Sequence, residues 1–174
     1  SGAVASDIYN NKIVGERSYM QATSTRVVSF EMCGNDGLQA RSSFAGQTGT
    51  CNYGVLNTAL ANCTTYTPLA MQAINTYATT ATRKTVSNLY YPGYNADNGL
   101  AGCTDSTTGT KPNRQNVFLP YVARINWLTC NFASQNGFSC VDSFAQYMGA
   151  DYDSNGDGAV DSVALQYQQG ESED

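Results

Sequence analysis

The chain has 174 residues, 41% of them hydrophobic and 13% charged, which is enough for one domain with a real core and too few to make two domains the default. Lys and Arg number 9 against 14 Asp and Glu, for a net charge of −5 and a pI near 4.5; with no basic run, a surface that binds phosphate backbones is excluded and nucleic acid is set aside as a partner. Six cysteines, no histidine and no paired short Cys spacing favour disulfides over zinc and hence an oxidising, extracellular compartment.

In chain order, the opening SGAVASDIYNN has neither a basic n-region nor an apolar h-region, as a mature or cut chain start would. No later apolar run approaches the roughly 20 residues that span a bilayer. Thr25 to Met32 is a β-branched and aromatic run halted by Cys33-Gly34-Asn35-Asp36-Gly37, a strand ending in a tight turn. Between Cys51 and Cys63 lies a short helical stretch, which a local Cys51–Cys63 disulfide would tie at both ends. From Pro68, the residues Leu69, Ala73, Ile74, Tyr77 and Ala81 recur at helical spacing, with Pro68 suited to a first turn.

Lys84 to Tyr91 reads as a second strand, and the order strand, helix, strand predicts a parallel sheet covered by helices. The Gly-, Thr- and Asn-rich stretch from Asn95 to Asn113 is a long loop around Cys103. Phe118, Tyr121, Val122, Ile125 and Leu128 then predict a helix that Pro120 should kink or delay. A short strand over Phe138 to Ala145 follows, and a Cys130–Cys140 bridge would join it to that helix. This leaves Cys33 and Cys103. Asn62-Cys63-Thr64 is a formal glycosylation sequon.

With no histidine, no Ser-His or Cys-His pair can act as nucleophile and base within this chain. A Gly-x-Ser-x-Gly elbow, a Gly-rich phosphate loop and a His-Glu-x-x-His zinc helix are also missing. What remains is the turn after the first strand. Its tetrapeptide Cys33-Gly34-Asn35-Asp36 resembles block III of the SGNH hydrolases, written Gly-x-Asn-Asp, with Cys33 in place of the first glycine. Ser1-Gly2-Ala3 is similar to block II of the secreted actinobacterial-type branch of that family, and Tyr91-Pro92 resembles the Tyr-Pro pair at the end of its next strand.

The likeness in layout runs over about residues 1 to 145. It implies a flavodoxin-like, three-layer α/β/α sandwich with a mainly parallel sheet, incomplete in this chain. It further implies a secreted carboxylic ester hydrolase in which the Asn35 amide and the Gly2 backbone N–H form the oxyanion hole. A fixed donor of this kind stabilises the tetrahedral intermediate of acyl transfer by roughly 3–4 kcal/mol. The substrate would be a small-molecule, lipid or carbohydrate ester. The family's Gly-Asp-Ser and Asp-x-x-His blocks do not occur here, so the nucleophile and base are expected outside the chain, on companion fragments of one precursor or in missing sequence.

Near the end, Asp151, Asp153, Asn155, Asp157, the carbonyl of Ala159 and Asp161 offer oxygen on alternate residues around Gly156 and Gly158, as calcium loops do. With Asp153 at position 1, the final position falls on Ala164, so the usual bidentate carboxylate is missing. A structural Ca2+ in an insertion at about 151–162 of a single domain, 1–174, is the expectation. Asp142, Tyr90, Tyr91, Tyr94 and Trp127 are weaker candidates, as a strand-end carboxylate and as cleft or core aromatics. The rival to an esterase is a non-catalytic, calcium-stabilised extracellular binding module or an inactive relative, either of which the absent histidine would also explain.

Overall fold

The computed structural model describes residues 2–90 and 97–144. The expected calcium residues Asp151 to Asp161, together with Ser1, Tyr91, Pro92 and Tyr94, lie outside them.

The N-terminal region is helical in pieces: α1 (Ala5–Asp7), a π-helical turn over Ile8–Lys12, α2 (Ile13–Gly15) and α3 (Arg17–Gln21), burying Ala5, Ile13 and Met20. The β-branched run then forms β1 (Val27–Glu31). After it come α4 (Gly34–Ala45), a two-residue β2 (Gly49–Thr50), α5 (Gly54–Tyr77), β3 (Arg83–Ser87), a two-residue β4 (Cys103–Thr104), α6 (Arg114–Gln135) and β5 (Ser139–Val141).

β3 lies between β1 and β5, and both pairings are parallel, with Phe30 opposite Val86 and Val86 opposite Cys140. The pleat alternates burial along β1. Val28 and Phe30 turn toward the core with Val86 and Cys140, while Val27, at 57% exposure, and Ser29 turn away from it with Val141. One face of the sheet therefore packs on helices and the other is open among the described residues. The α/β class and the parallel sheet expected from the sequence stand.

The helices are built on buried stripes. In α4, Asp36, Ala40 and Phe44 repeat every fourth residue; in α5 the stripe is Leu56, Ala59, Cys63, Thr67, Ala70, Met71 and Ile74. Helix α6 opens on Asn113, whose side chain accepts a hydrogen bond from the Asn116 N–H at 3.2 Å. One core cluster joins β1 and β3 to the N-terminal region and α5. A second, with Phe44, Leu56, Phe118 and Phe144 among its members, fills the space between α4, α5 and α6. No helix among the described residues is long and apolar enough to cross a membrane.

Three sequence expectations are corrected. The two helices expected around Pro68 are a single 24-residue helix with Pro68 inside it, because the buried stripe runs unbroken across the proline. Pro120 likewise lies inside α6. The cysteines pair Cys33–Cys63, Cys51–Cys103 and Cys130–Cys140; the last was expected, whereas Cys51–Cys63 is not formed. Cys63 sits nine residues along α5 from its first residue, about 14 Å at 1.5 Å per residue, beyond what a disulfide spans. Finally, the loop before α6 carries β4, which pairs with β2 in parallel and is bridged to Cys51.

Candidate active site

The site is assembled where β1 turns into α4. Cys33 adopts a left-handed conformation, φ 78°, between the strand and the helix. This is the position where the Gly-x-Asn-Asp pattern has glycine, and the conformation explains why glycine suits it. Here the non-glycine residue is tied to Cys63 of α5.

The turn places Asn35 and Asp36 in the first turn of α4, at the C-terminal end of β1, where the helix dipole favours negative charge. The Asn35 amide donates to the Ala3 carbonyl at 3.0 Å, and the Ala5 N–H donates to the buried Asp36 carboxylate at 2.7 Å. Two adjacent side chains thus hold the segment that begins with Gly2, which is exposed and has φ 66°. The structure therefore brings together the two regions that the sequence singled out, 32 residues apart.

Burial pushes the Asp36 carboxyl above its ordinary range, against the lowering effect of hydrogen bonds from Ala5, its own backbone N–H and Asn62. The role of Asp36 as the tie to the N-terminal segment was not read from the sequence, although it stands inside the motif. Asn62, the sequon residue, is half-buried within α5 beside Asp36 and is not on a surface loop.

On the other side of the α4 start, a cavity of about 170 Å³ runs between α4, α5 and α6. Glu31, Gly34, Leu38, Leu89, Phe118 and Val122 are among its walls. Partial burial raises the Glu31 pKa. The Leu89 wall is held by Asn126, fully buried, which accepts from the Leu89 N–H at 2.8 Å and donates to its carbonyl at 2.6 Å. A buried Asn inside an apolar helical stripe was the available sequence signal for this clamp.

The weaker candidates separate. Asp142 accepts from the Asn88 amide at 2.7 Å, Asn88 being itself buried, so its carboxylate braces the end of the sheet. Trp127 is 40% exposed beneath the Arg124 guanidinium and away from the cavity. Tyr90, 45% exposed, lines the cavity.

The described residues thus form a parallel α/β sheet in which the Asn35 amide and the segment led by Gly2 meet at the C-terminal end of β1. Among solved structures, the crystal structure of an extracellular lipase from Streptomyces rimosus is similar, with a TM-score of 0.55 and 20% identity over 86% of this chain and 61% of that one. At that identity the likeness concerns the fold, and this chain spans 61% of that lipase's length. No family model matches the chain, and no curated protein matches it.

Proposed function

We propose that this chain is the oxyanion-hole-bearing part of a secreted carboxylic ester hydrolase of the SGNH type. The observation that carries the reading is the Asn35 amide at the start of α4, held 3.0 Å from the Ala3 carbonyl and so beside Gly2. With one N–H on Ala3, the second N–H of the amide is the donor for an oxyanion, and the Gly2 backbone N–H is its partner. Asn35 sits in the first turn of α4 beside the Cys33–Cys63 bridge, and Gly2 leads the segment that Asn35 and Asp36 tie to that turn, so the donors need no reorganisation as charge develops. A serine outside this chain attacks the acyl carbonyl, and a histidine outside it takes the proton. The extracellular lipase with a similar fold and the three disulfides support a secreted enzyme.

Asn35→Ala in the full-length protein is expected to lower ester turnover by roughly 100-fold or more with the melting temperature retained; unchanged turnover would remove Asn35 from the mechanism. Intact mass and N-terminal sequencing of the native protein, reduced and non-reduced, test for companion peptides carrying Gly-Asp-Ser and Asp-x-x-His. Their absence, together with absent turnover, favours the rival reading of a binding module, which the lack of histidine supports.

We further propose that Asp153, Asn155, Asp157, the Ala159 carbonyl and Asp161, with Asp151 completing the shell, hold a structural Ca2+. The alternation of oxygen donors around glycines supports it. Chelation should lower the melting temperature reversibly, and Asp157→Ala should abolish that response; a melting curve indifferent to chelator excludes the metal.

A further inference from the structure

Among the described residues, Cys33 is the one residue other than glycine with a positive φ, 78°. An L side chain in that region crowds the carbonyl oxygen that follows it, which disfavours the conformation by roughly tenfold, whereas glycine enters it freely. The site nonetheless depends on this backbone. The Cys33 carbonyl accepts the Gly37 N–H at 3.0 Å, the bond with which α4 begins, and the first turn of that helix carries Asn35.

What holds Cys33 comes from α5. Its sulfur is bonded to Cys63 and lies 3.6 Å from the hydroxyl of Thr67, one turn further along the same helix. All three residues are buried. Asn62, the neighbour of Cys63, hydrogen-bonds the Asp36 carboxylate. Helix α5 thus grips the residues on both sides of Gly34 and Asn35, and its own place is fixed by the buried stripe from Leu56 to Ile74.

We propose that Cys63 is a positioning residue for the Asn35 amide: through the bridge, α5 keeps Cys33 left-handed, and with it the geometry of the α4 start that brings Asn35 to the Ala3 carbonyl. That this amide then meets an oxyanion rests on the esterase reading; the positioning itself does not. Without the bridge, a side chain at position 33 relaxes toward negative φ and the carbonyl turns away from Gly37. The start of α4 then frays, which releases Asn35 from Ala3 and Asp36 from Ala5. A glycine needs no such restraint, so a bridge and a glycine are two solutions to one backbone problem.

The test compares two bridge-free double variants, Cys33→Ala with Cys63→Ala and Cys33→Gly with Cys63→Ala. Both lose the cross-link over a separation of 30 residues, so its effect on the unfolded chain is common to them. They differ in how readily residue 33 takes a positive φ. Amide hydrogen exchange on the 174-residue chain reads the positioning. At Ala5 and Gly37 the alanine variant should exchange roughly tenfold faster than the glycine variant, relative to the amides of α6, and the glycine variant should keep the parent's protection. Should the alanine variant not fold, Cys33→Asn with Cys63→Ala takes its place, with a smaller acceleration expected because Asn enters the left-handed region more readily. Equal exchange in the compared variants overturns the proposal, and so does a glycine variant that does not fold. On the full-length protein, kcat for ester turnover should fall about tenfold in the alanine variant with KM held, and stay within about twofold of the parent in the glycine variant. The expected exchange with equal kcat in the two variants overturns the catalytic use of the positioning. The expected exchange with no ester turnover in the parent overturns the esterase reading and leaves the positioning standing.

Discussion

At the scale of single residues, Asp36 carries two opposed effects. It is 5% exposed, and burial raises its pKa even though Ala5 and Asn62 hydrogen-bond to its charged form. A carboxyl whose folded pKa lies above its unfolded value contributes stability that is complete below the ordinary Asp range and is lost as pH rises through the raised value. Asp36→Asn keeps an oxygen for the Ala5 N–H and removes the charge. The melting temperature of the variant relative to the parent should therefore climb as pH rises from about 3.5 toward neutrality, since only the parent loses that contribution over the interval. A difference that is flat with pH would show that Asp36 is not the titrating group. Cys33 makes a complementary point: a position that looks like a departure from the motif by residue type is a left-handed backbone position, here held through the bridge to Cys63.

Among the elements, α5 shows how packing overrides a local signal. Pro68 lacks an N–H for the Thr64 carbonyl, and an interior proline costs about 3 kcal/mol in a helix considered alone. The helix continues because Cys63, Thr67, Ala70, Met71 and Ile74 form one buried stripe on both sides of the proline. Pro68→Ala restores the hydrogen bond without disturbing that stripe, and urea unfolding should report a gain of about 1–3 kcal/mol. The strands, by contrast, were legible. The β-branched and aromatic run marked β1 as a strand, and the strand, helix, strand order anticipated the parallel pairing of β1 with β3. The two-residue strands β2 and β4 have no pattern long enough to read. They exist because Cys51 and Cys103 bring two loops together.

Across the whole molecule, the bridges differ in how far they reach. Cys51–Cys103 closes a separation of 52 residues and Cys130–Cys140 one of 10. On the loop-entropy account, replacing the first pair by alanines should cost about 4 kcal/mol and the second about 3 kcal/mol. Unfolding by urea under non-reducing conditions checks the order; a larger loss from the short bridge would mean that local contacts outweigh chain entropy. The sheet presents a related feature at this scale. Parallel sheets are as a rule covered on both faces, and the face bearing Val27 and Val141, at 57% and 50% exposure, is open among the described residues.

The amino-acid sequence by itself determined the α/β class, the places of the three paired strands, the Cys130–Cys140 bridge and the nomination of Gly2 and Asn35. The class, the strands and the Cys130–Cys140 bridge rest on short-range periodicity and spacing, where neighbours in sequence are neighbours in space, whereas Gly2 and Asn35 were nominated by the resemblance of Ser1-Gly2-Ala3 and Cys33-Gly34-Asn35-Asp36 to the SGNH blocks. The other two disulfides, the continuity of α5 through Pro68, the Asp36 tie to Ala5 and the cavity beside Gly34 were decided only by tertiary structure. Each depends on residues about 30 or more apart, or on the burial of a whole helix face, and those energies arise only once the helices are packed.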